Sequence, residues 1–119
     1  MSEIKIYHNP NCSNSRNALA IIRAHGHEPE VILYLDTPPT RQELQVIIQT
    51  TGGSARALIR NKEAVYGELG LDRPDLTEDT LIDAMRVHPV LMNRPIVITS
   101  QGTRLCRPPE LVLEILPAT

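Results

Sequence analysis

One cysteine stands where its chemistry can be used. Cys12 follows a turn-forming sequence at residues 9–11 and precedes apolar residues at helical spacing. A cysteine at a helix start is favoured as the thiolate, because free backbone N–H groups and the helix dipole supply partial positive charge. His8 would add charge when protonated, and Ser15 can donate a hydrogen bond to sulfur. The pattern predicts a nucleophile, and a small buried apolar cysteine is the alternative.

The spacing around Cys12 disfavours several other kinds of site. Residues 12–15 read C-x-x-S, so the two-thiol C-x-x-C redox pair is absent. A site with one cysteine must resolve its covalent intermediate with an external thiol or with Cys106. The phosphate loop of the cysteine phosphatases needs arginine six positions after its cysteine, where this chain has Ala18. The four histidines are scattered and form no helical pair, so we expect no metal site.

Arginines form a second set of candidates. Four of them stand beside a predicted turn or element boundary, namely Arg16, Arg60, Arg94 and Arg107. A guanidinium group can bind a tetrahedral oxyanion with two parallel hydrogen bonds, which an ammonium group cannot do. A solvated surface arginine is the alternative for each of them, and composition does not choose among the four.

The predicted elements alternate between strands and helices. Short apolar runs bounded by turn residues predict four strands, at 4–7, 31–35, 95–99 and 103–106. Helical spacing predicts a first helix from Cys12 to Gly26, and a capping box predicts a second from Thr40 that stops at Gly52-Gly53. Short helical pieces are predicted at 54–60 and 61–69, followed by a helix at 77–87. A final helix is predicted from Pro108-Pro109 to Pro117. Pro95 opens its strand, and we predict a cis Arg94–Pro95 bond.

This order predicts an α/β fold within one domain spanning residues 1–119. The β-α-β start implies parallel pairing, and the late hairpin adds antiparallel strands, so the sheet is mixed and four-stranded. Together with a cysteine at the first helix start, the order indicates a thioredoxin-like sheet flanked by helices, with an all-helical insertion at about 40–88. Tyr7 and Tyr34 are expected in the core.

Bulk composition excludes some functions. The net charge of −2 gives no overall field for binding nucleic acid or an anionic membrane. The sequence contains no apolar run of the roughly 20 residues needed to span a bilayer, and its start has no signal-peptide pattern. Two distant cysteines are not a secreted disulfide framework, so we expect a cytoplasmic protein with reduced thiols.

Taken together, the motifs resemble a known family. The loop Tyr7–Arg16 is similar to the active-site loop of the glutaredoxin-coupled arsenate reductases of bacteria, the ArsC family. Further matching segments are 32–35, 56–60, 88–97 and 102–108. The resemblance extends from Ile4 to about Leu116 and departs only at the end, where some relatives carry a longer tail outside the chemistry.

The resemblance implies a fold, a reaction and a set of roles. It implies a thioredoxin-like fold and an oxidoreductase that converts arsenate to arsenite for arsenic detoxification. Glutathione would be the reductant co-substrate and glutaredoxin the protein partner, with no bound cofactor. The implied roles are Cys12 as nucleophile, His8 lowering its pKa, Ser15 as hydrogen-bond donor to the thiolate, and Arg60, Arg94 and Arg107 as oxyanion ligands.

Two other functions fit parts of the sequence. Some relatives on this scaffold bind RNA polymerase and regulate transcription, but we expect these to lack one or more of the three arginines. A glutaredoxin-like thiol exchanger would need a glutathione groove and would have no use for three arginines.

Overall fold

The computed structural model describes residues 4–51 and 53–117, which divide into two compact units. The chain up to residue 37 and from 94 onward forms the first, here called the sheet unit. Pro38–Asn93 form the second, the helical unit, which contains the predicted insertion. None of the helices in this described part is long and apolar enough to cross a membrane.

The sheet unit contains the predicted mixed four-stranded sheet. Its strands are β1 (Lys5–His8), β2 (Glu30–Leu33), β3 (Ile96–Thr99) and β4 (Gly102–Leu105), in the order β2-β1-β3-β4. β1 pairs in parallel with β2 and antiparallel with β3, and β3 pairs antiparallel with β4. The α/β class and the parallel and antiparallel pairings predicted from element order are confirmed.

Helix α1 (Ser13–Ala24) connects the two parallel strands and carries Cys12 at its N-cap. The helix ends as predicted at Gly26, which has φ +84°. The N–H of Gly26 donates to the carbonyl of Arg23, and the N–H of His27 donates to that of Ile22. These two bonds form the Schellman motif, which requires a left-handed residue after the helix and therefore favours glycine.

One face of the sheet packs on α1 and on the C-terminal segment through an aliphatic core. Ile4, which directly precedes β1, and Ile6 within it are buried, as are Ala18 and Ile22 on α1. Val97, Cys106, Val112 and Ile115 complete this cluster. Tyr7 and Tyr34 are also buried, as expected. The first helix is therefore held by packing along its length while its N-terminus carries the cysteine.

The described part of the helical unit contains four α-helices, α2 (Arg41–Thr51), α3 (Ala55–Leu58), α4 (Ala64–Glu68) and α5 (Glu78–Val87), then a 3-10 helix, Pro89–Leu91. The predicted capping box is present: the Thr40 N–H donates to Glu43 Oε1, and the Glu43 N–H donates to Thr40 Oγ1. Thr77 likewise caps α5 by accepting from the N–H of Thr80. The predicted stop at Gly52 lies outside the described residues.

The C-terminal segment differs from its prediction. Instead of an α-helix, Pro109–Glu114 form a 3-10 helix, in which the Leu111 N–H donates to the Pro108 carbonyl three residues earlier. The segment is short and begins with two prolines, conditions in which the tighter helix is common. The Arg94–Pro95 bond is cis, as predicted, and the Arg107–Pro108 bond is cis as well.

The end of α1 generates a stability prediction. Gly26→Ala should lower the free energy of unfolding by about 1 kcal/mol, because an L-residue at positive φ is strained. Gly67→Ala is the matched control: Gly67 lies in α4 without a positive φ, and an added Cβ would meet no other atom within 4 Å. That change should raise stability by about 0.5–1 kcal/mol. Urea unfolding measures both, and equal shifts in one direction would contradict the assignment.

Candidate active site

The sulfur of Cys12 lies at the junction of β1 and α1. Cys12 is the N-cap residue in extended conformation, and its carbonyl accepts the first helical hydrogen bond, from Arg16 N–H at 3.0 Å. The residue is half-buried, unlike Cys106, which is fully buried. The helix start therefore presents one accessible thiol, as the sequence predicted.

Several groups around Cys12 act on its ionisation. Partial burial raises the pKa of the Cys12 thiol, because desolvation disfavours the anion. The backbone N–H of Ser15, the Arg94 guanidinium and the backbone N–H of Asn14 lower it. The lowering effects are larger, so the pKa of Cys12 lies below its usual value. This is the electrostatic environment of a reactive cysteine rather than of a structural one.

Two guanidinium groups of the sheet unit surround the sulfur. Arg107 Nη1 lies 4.0 Å from Cys12 Sγ and donates a hydrogen bond to the Arg94 backbone carbonyl at 2.9 Å. Arg94 donates to the sulfur from its side chain. Arg94 precedes β3 and Arg107 follows β4, so the antiparallel pairing of these strands brings both arginines to one end of the sheet. Two cations beside a thiolate can also bind an anionic substrate.

Asn9 holds the loop between β1 and α1, a role that the sequence analysis did not assign. Its carbonyl accepts from the Cys12 N–H at 3.0 Å, and its Oδ1 accepts from the Asn11 N–H at 2.9 Å. Its own N–H donates to Ser15 Oγ at 3.0 Å. Asparagine accepting from a backbone N–H two residues on is an Asx turn, so the Asn9–Asn11 spacing was the available signal.

His8 and Ser15 form a buried pair beneath this loop. His8 Nδ1 and Ser15 Oγ are 2.6 Å apart. Burial lowers the pKa of His8, and the positive charges of Arg23 and Arg16 lower it further. His8 therefore favours its neutral form, and the group that its side chain contacts is the Ser15 hydroxyl. His8 also belongs to β1 rather than to the following turn.

Arg60 belongs to the helical unit and follows α3 directly. Its N–H donates to the Leu91 carbonyl at 2.7 Å, and the neighbouring Ile59 forms an isolated β-bridge with Met92. Arg56 secures the same helix by donating to Tyr66 Oη and to the carbonyls of Leu71 and Arg73. The Arg60 side chain is 24% exposed. Its backbone is thus anchored, and its guanidinium forms an ion pair with Glu63, with 3.9 Å between Arg60 Nε and Glu63 Oε1.

The remaining candidates have structural surroundings. Cys106 is buried in the sheet-unit core, and burial raises the pKa of its thiol to about 12. Arg16 donates to the Pro10 carbonyl at 2.8 Å and so braces the cysteine loop. Among residues 4–51 and 53–117, no three His, Cys, Asp or Glu side chains are grouped so as to hold a metal ion.

The chain is similar to known proteins along nearly its whole length. Residues 7–115 match the model of the ArsC family. The arsenate reductase of Escherichia coli K12 is 59% identical over 98% of this chain and 83% of that protein, and the arsenate reductase of Acidiphilium multivorum is 57% identical with the same coverage. The solved arsenate reductase from Vibrio cholerae superposes with a TM-score of 0.91 at 47% identity, covering 95% of this chain and 97% of that one.

The surroundings of Cys12 predict its titration. Alkylation by iodoacetamide in a Cys106→Ala background should show an inflection below about 8.5, the usual pKa of a free thiol. Arg94→Met should raise this inflection and slow alkylation at pH 7, because a cation that favours the thiolate is lost. The measurement is the alkylation rate as a function of pH.

Arg104→Met is the matched control, since Arg104 lies on β4 and pairs with Glu114. It should leave the Cys12 inflection unchanged. An inflection at or above the free-thiol value in the unmodified site, or equal shifts in both arginine variants, would contradict the electrostatic assignment.

Proposed function

The chain belongs to the ArsC family, and we propose that it is an arsenate reductase in which Cys12 attacks arsenate held by arginines. The observation that carries this proposal is the position of Arg107 Nη1, 4.0 Å from a Cys12 sulfur whose pKa is lowered. A thiolate and its anionic substrate repel each other, so cations at the sulfur are what this reaction needs.

In the first step, arsenate binds to the guanidinium groups of Arg94 and Arg107. Arg60 is the third oxyanion ligand implied by the family resemblance. The Cys12 thiolate attacks arsenic, an As–S bond forms, and one As–O bond breaks. The departing oxygen takes up a proton and leaves as water. The arginines lower the barrier by compensating charge that develops on the remaining oxygens.

Ser15 and His8 are positioning residues in this scheme. Ser15 Oγ accepts from the Asn9 N–H and contacts His8 Nδ1, so its hydroxyl proton can be directed at the sulfur when His8 itself donates. The neutral form favoured by His8 retains one ring N–H for this purpose. In this way His8 directs the Ser15 hydroxyl proton towards the Cys12 thiolate. The thiolate gains a hydrogen-bond donor, and no imidazolium charge has to be buried.

Two external thiols supply the two electrons. Glutathione attacks arsenic in the Cys12 adduct, so a second As–S bond forms and a second oxygen leaves as water. A glutaredoxin thiolate then attacks the glutathione sulfur and forms a mixed disulfide, and the electron pair of the broken As–S bond reduces As(V) to As(III). Water cleaves the remaining bond between Cys12 and arsenic and releases arsenite. One arsenate and two thiols thus yield one arsenite, one disulfide and one water, and Cys12 returns as a thiol. No bound cofactor is required. A cytoplasmic location would provide the reduced glutathione that this cycle consumes.

A coupled assay tests the proposal. Purified protein, arsenate, glutathione, glutaredoxin and glutathione reductase should consume NADPH. Cys12→Ser should abolish turnover and Cys106→Ala should retain it, because only Cys12 is accessible and has a lowered pKa. Omitting glutathione or glutaredoxin separately tests each reductant. Turnover in Cys12→Ser, or its loss in a folded Cys106→Ala, would refute the assignment.

The arginines separate an arsenate reductase from a thiol exchanger. Arg60→Lys, Arg94→Lys and Arg107→Lys should each lower kcat/KM for arsenate by about tenfold to more than a hundredfold, equivalent to about 1.5–3 kcal/mol. Lysine keeps the charge but loses the planar pair of donors. The effects should not add, because the three arginines share one ligand.

Arg23→Lys is the control, since the Arg23 side chain is 51% exposed and pairs with Glu28. It should keep normal activity, and melting temperatures should be nearly unchanged in all four variants. Full activity in the three substrate-arginine variants would favour the thiol-exchange or regulatory alternatives. Activity that falls only in step with melting temperature would make these arginines structural.

A further inference from the structure

We propose that the carboxylate of Glu63 competes internally with the oxyanion at Arg60 and thereby weakens substrate binding. The contact that suggests this is an ion pair, with Glu63 Oε1 3.9 Å from Arg60 Nε. The proposal rests on the proposed function in one respect, since it takes arsenate as the anion that Arg60 binds.

The first step is that Arg60 starts from a fixed backbone. Its N–H donates to the Leu91 carbonyl at 2.7 Å, and the N–H of Asn93 donates to the Leu58 carbonyl, also at 2.7 Å. Hydrogen bonds on both sides of the Ile59–Met92 bridge hold this short segment within the helical unit. The backbone of Arg60 is therefore anchored independently of Glu63.

The second step is that one donor of the Arg60 side chain, Nε, lacks a hydrogen-bond acceptor. Its Nε is buried and, within the part of the chain that the structure describes, no atom accepts a hydrogen bond from it. A buried donor left without an acceptor is costly, and more so when it belongs to a charged group. An oxyanion that supplies acceptor oxygens would remove this cost, so the side chain is suited to receive one.

The third step concerns what Glu63 contributes at present. At 3.9 Å its carboxylate compensates the charge of Arg60 without making a hydrogen bond. The Glu63 side chain is 25% exposed and stands at the N-cap of α4 without making a capping hydrogen bond. It is therefore a counter-ion that is neither fully solvated nor engaged by the helix.

These contacts predict repulsion between Glu63 and a bound substrate. Two anions would share one guanidinium in a partly buried place, where salt screens their repulsion only weakly. The penalty arises from charge and not from shape. The repulsion from Glu63 should therefore be equal for arsenate, phosphate and other tetrahedral oxyanions. It lowers the affinity for all of them and does not change the selectivity among them.

Titration calorimetry in a Cys12→Ser background, which binds without turnover, tests this inference. Glu63→Gln should lower the Kd for arsenate and for phosphate by about three- to tenfold each, leaving their ratio unchanged. Glu68→Gln, which removes the same charge from an exposed position of the same helix, should change either Kd by less than about twofold. In the protein with Cys12 present, Glu63→Gln should lower the KM for arsenate with little change in kcat.

Other outcomes overturn the inference. An unchanged Kd would mean that Glu63 does not face the bound anion, and a higher Kd would mean that Glu63 orients Arg60 instead of competing for it. If Glu63→Gln tightens arsenate binding but the protein does not reduce arsenate, the proposed function fails and the competition stands. If reduction is normal and Glu63→Gln has no effect on binding, only the competition fails.

Discussion

The proposed reaction depends on keeping a half-buried sulfur negative beside a substrate that is also negative. Burial alone raises the pKa of Cys12, so its net lowering depends on other groups that favour the thiolate more strongly. The helix N-terminus supplies backbone N–H groups, and Arg94 and Arg107 supply charge. The positions of these groups are set by the helix and the strands that carry them. The sheet order meets this requirement, because it places the start of β3 and the end of β4 at the same edge of the sheet as the end of β1.

The loop that presents the sulfur is held from beneath by neutral hydrogen bonds. Asn9 fixes the backbone at Asn11 and Cys12, and Ser15 links Asn9 to His8. The pKa of His8 is lowered by burial and by two nearby arginines, so positive charge is concentrated on the guanidinium groups and not on the imidazole. This separation matters because a guanidinium keeps its charge across the physiological pH range, whereas the charge of a histidine would vary with pH.

The sequence allowed the elements to be predicted wherever the cause was local. The capping box at Thr40, the N-cap at Thr77 and the left-handed Gly26 are set by neighbouring residues, and they form as expected. The ionisation of His8 could not be predicted, because it depends on burial created by the whole sheet unit. Nor could local patterns select among the arginines; that selection came from the family resemblance and remains a proposal. The last helix was predicted to be an α-helix, but its apolar spacing suits either helix type. Its two prolines and its short length favour the 3-10 form that the structure has.

The burial of Cys106 has a consequence for the product. Trivalent arsenic is a soft, thiol-seeking centre that can be chelated when two sulfurs reach it together. The chain has two cysteines, and one of them lies inside the aliphatic core as an un-ionised thiol. In the proposed reaction, arsenite formed at Cys12 is therefore bonded to one protein sulfur, and a single As–S bond is open to exchange with water or an external thiol. By withdrawing its second thiol from the surface, the protein avoids becoming a trap for the metalloid it releases.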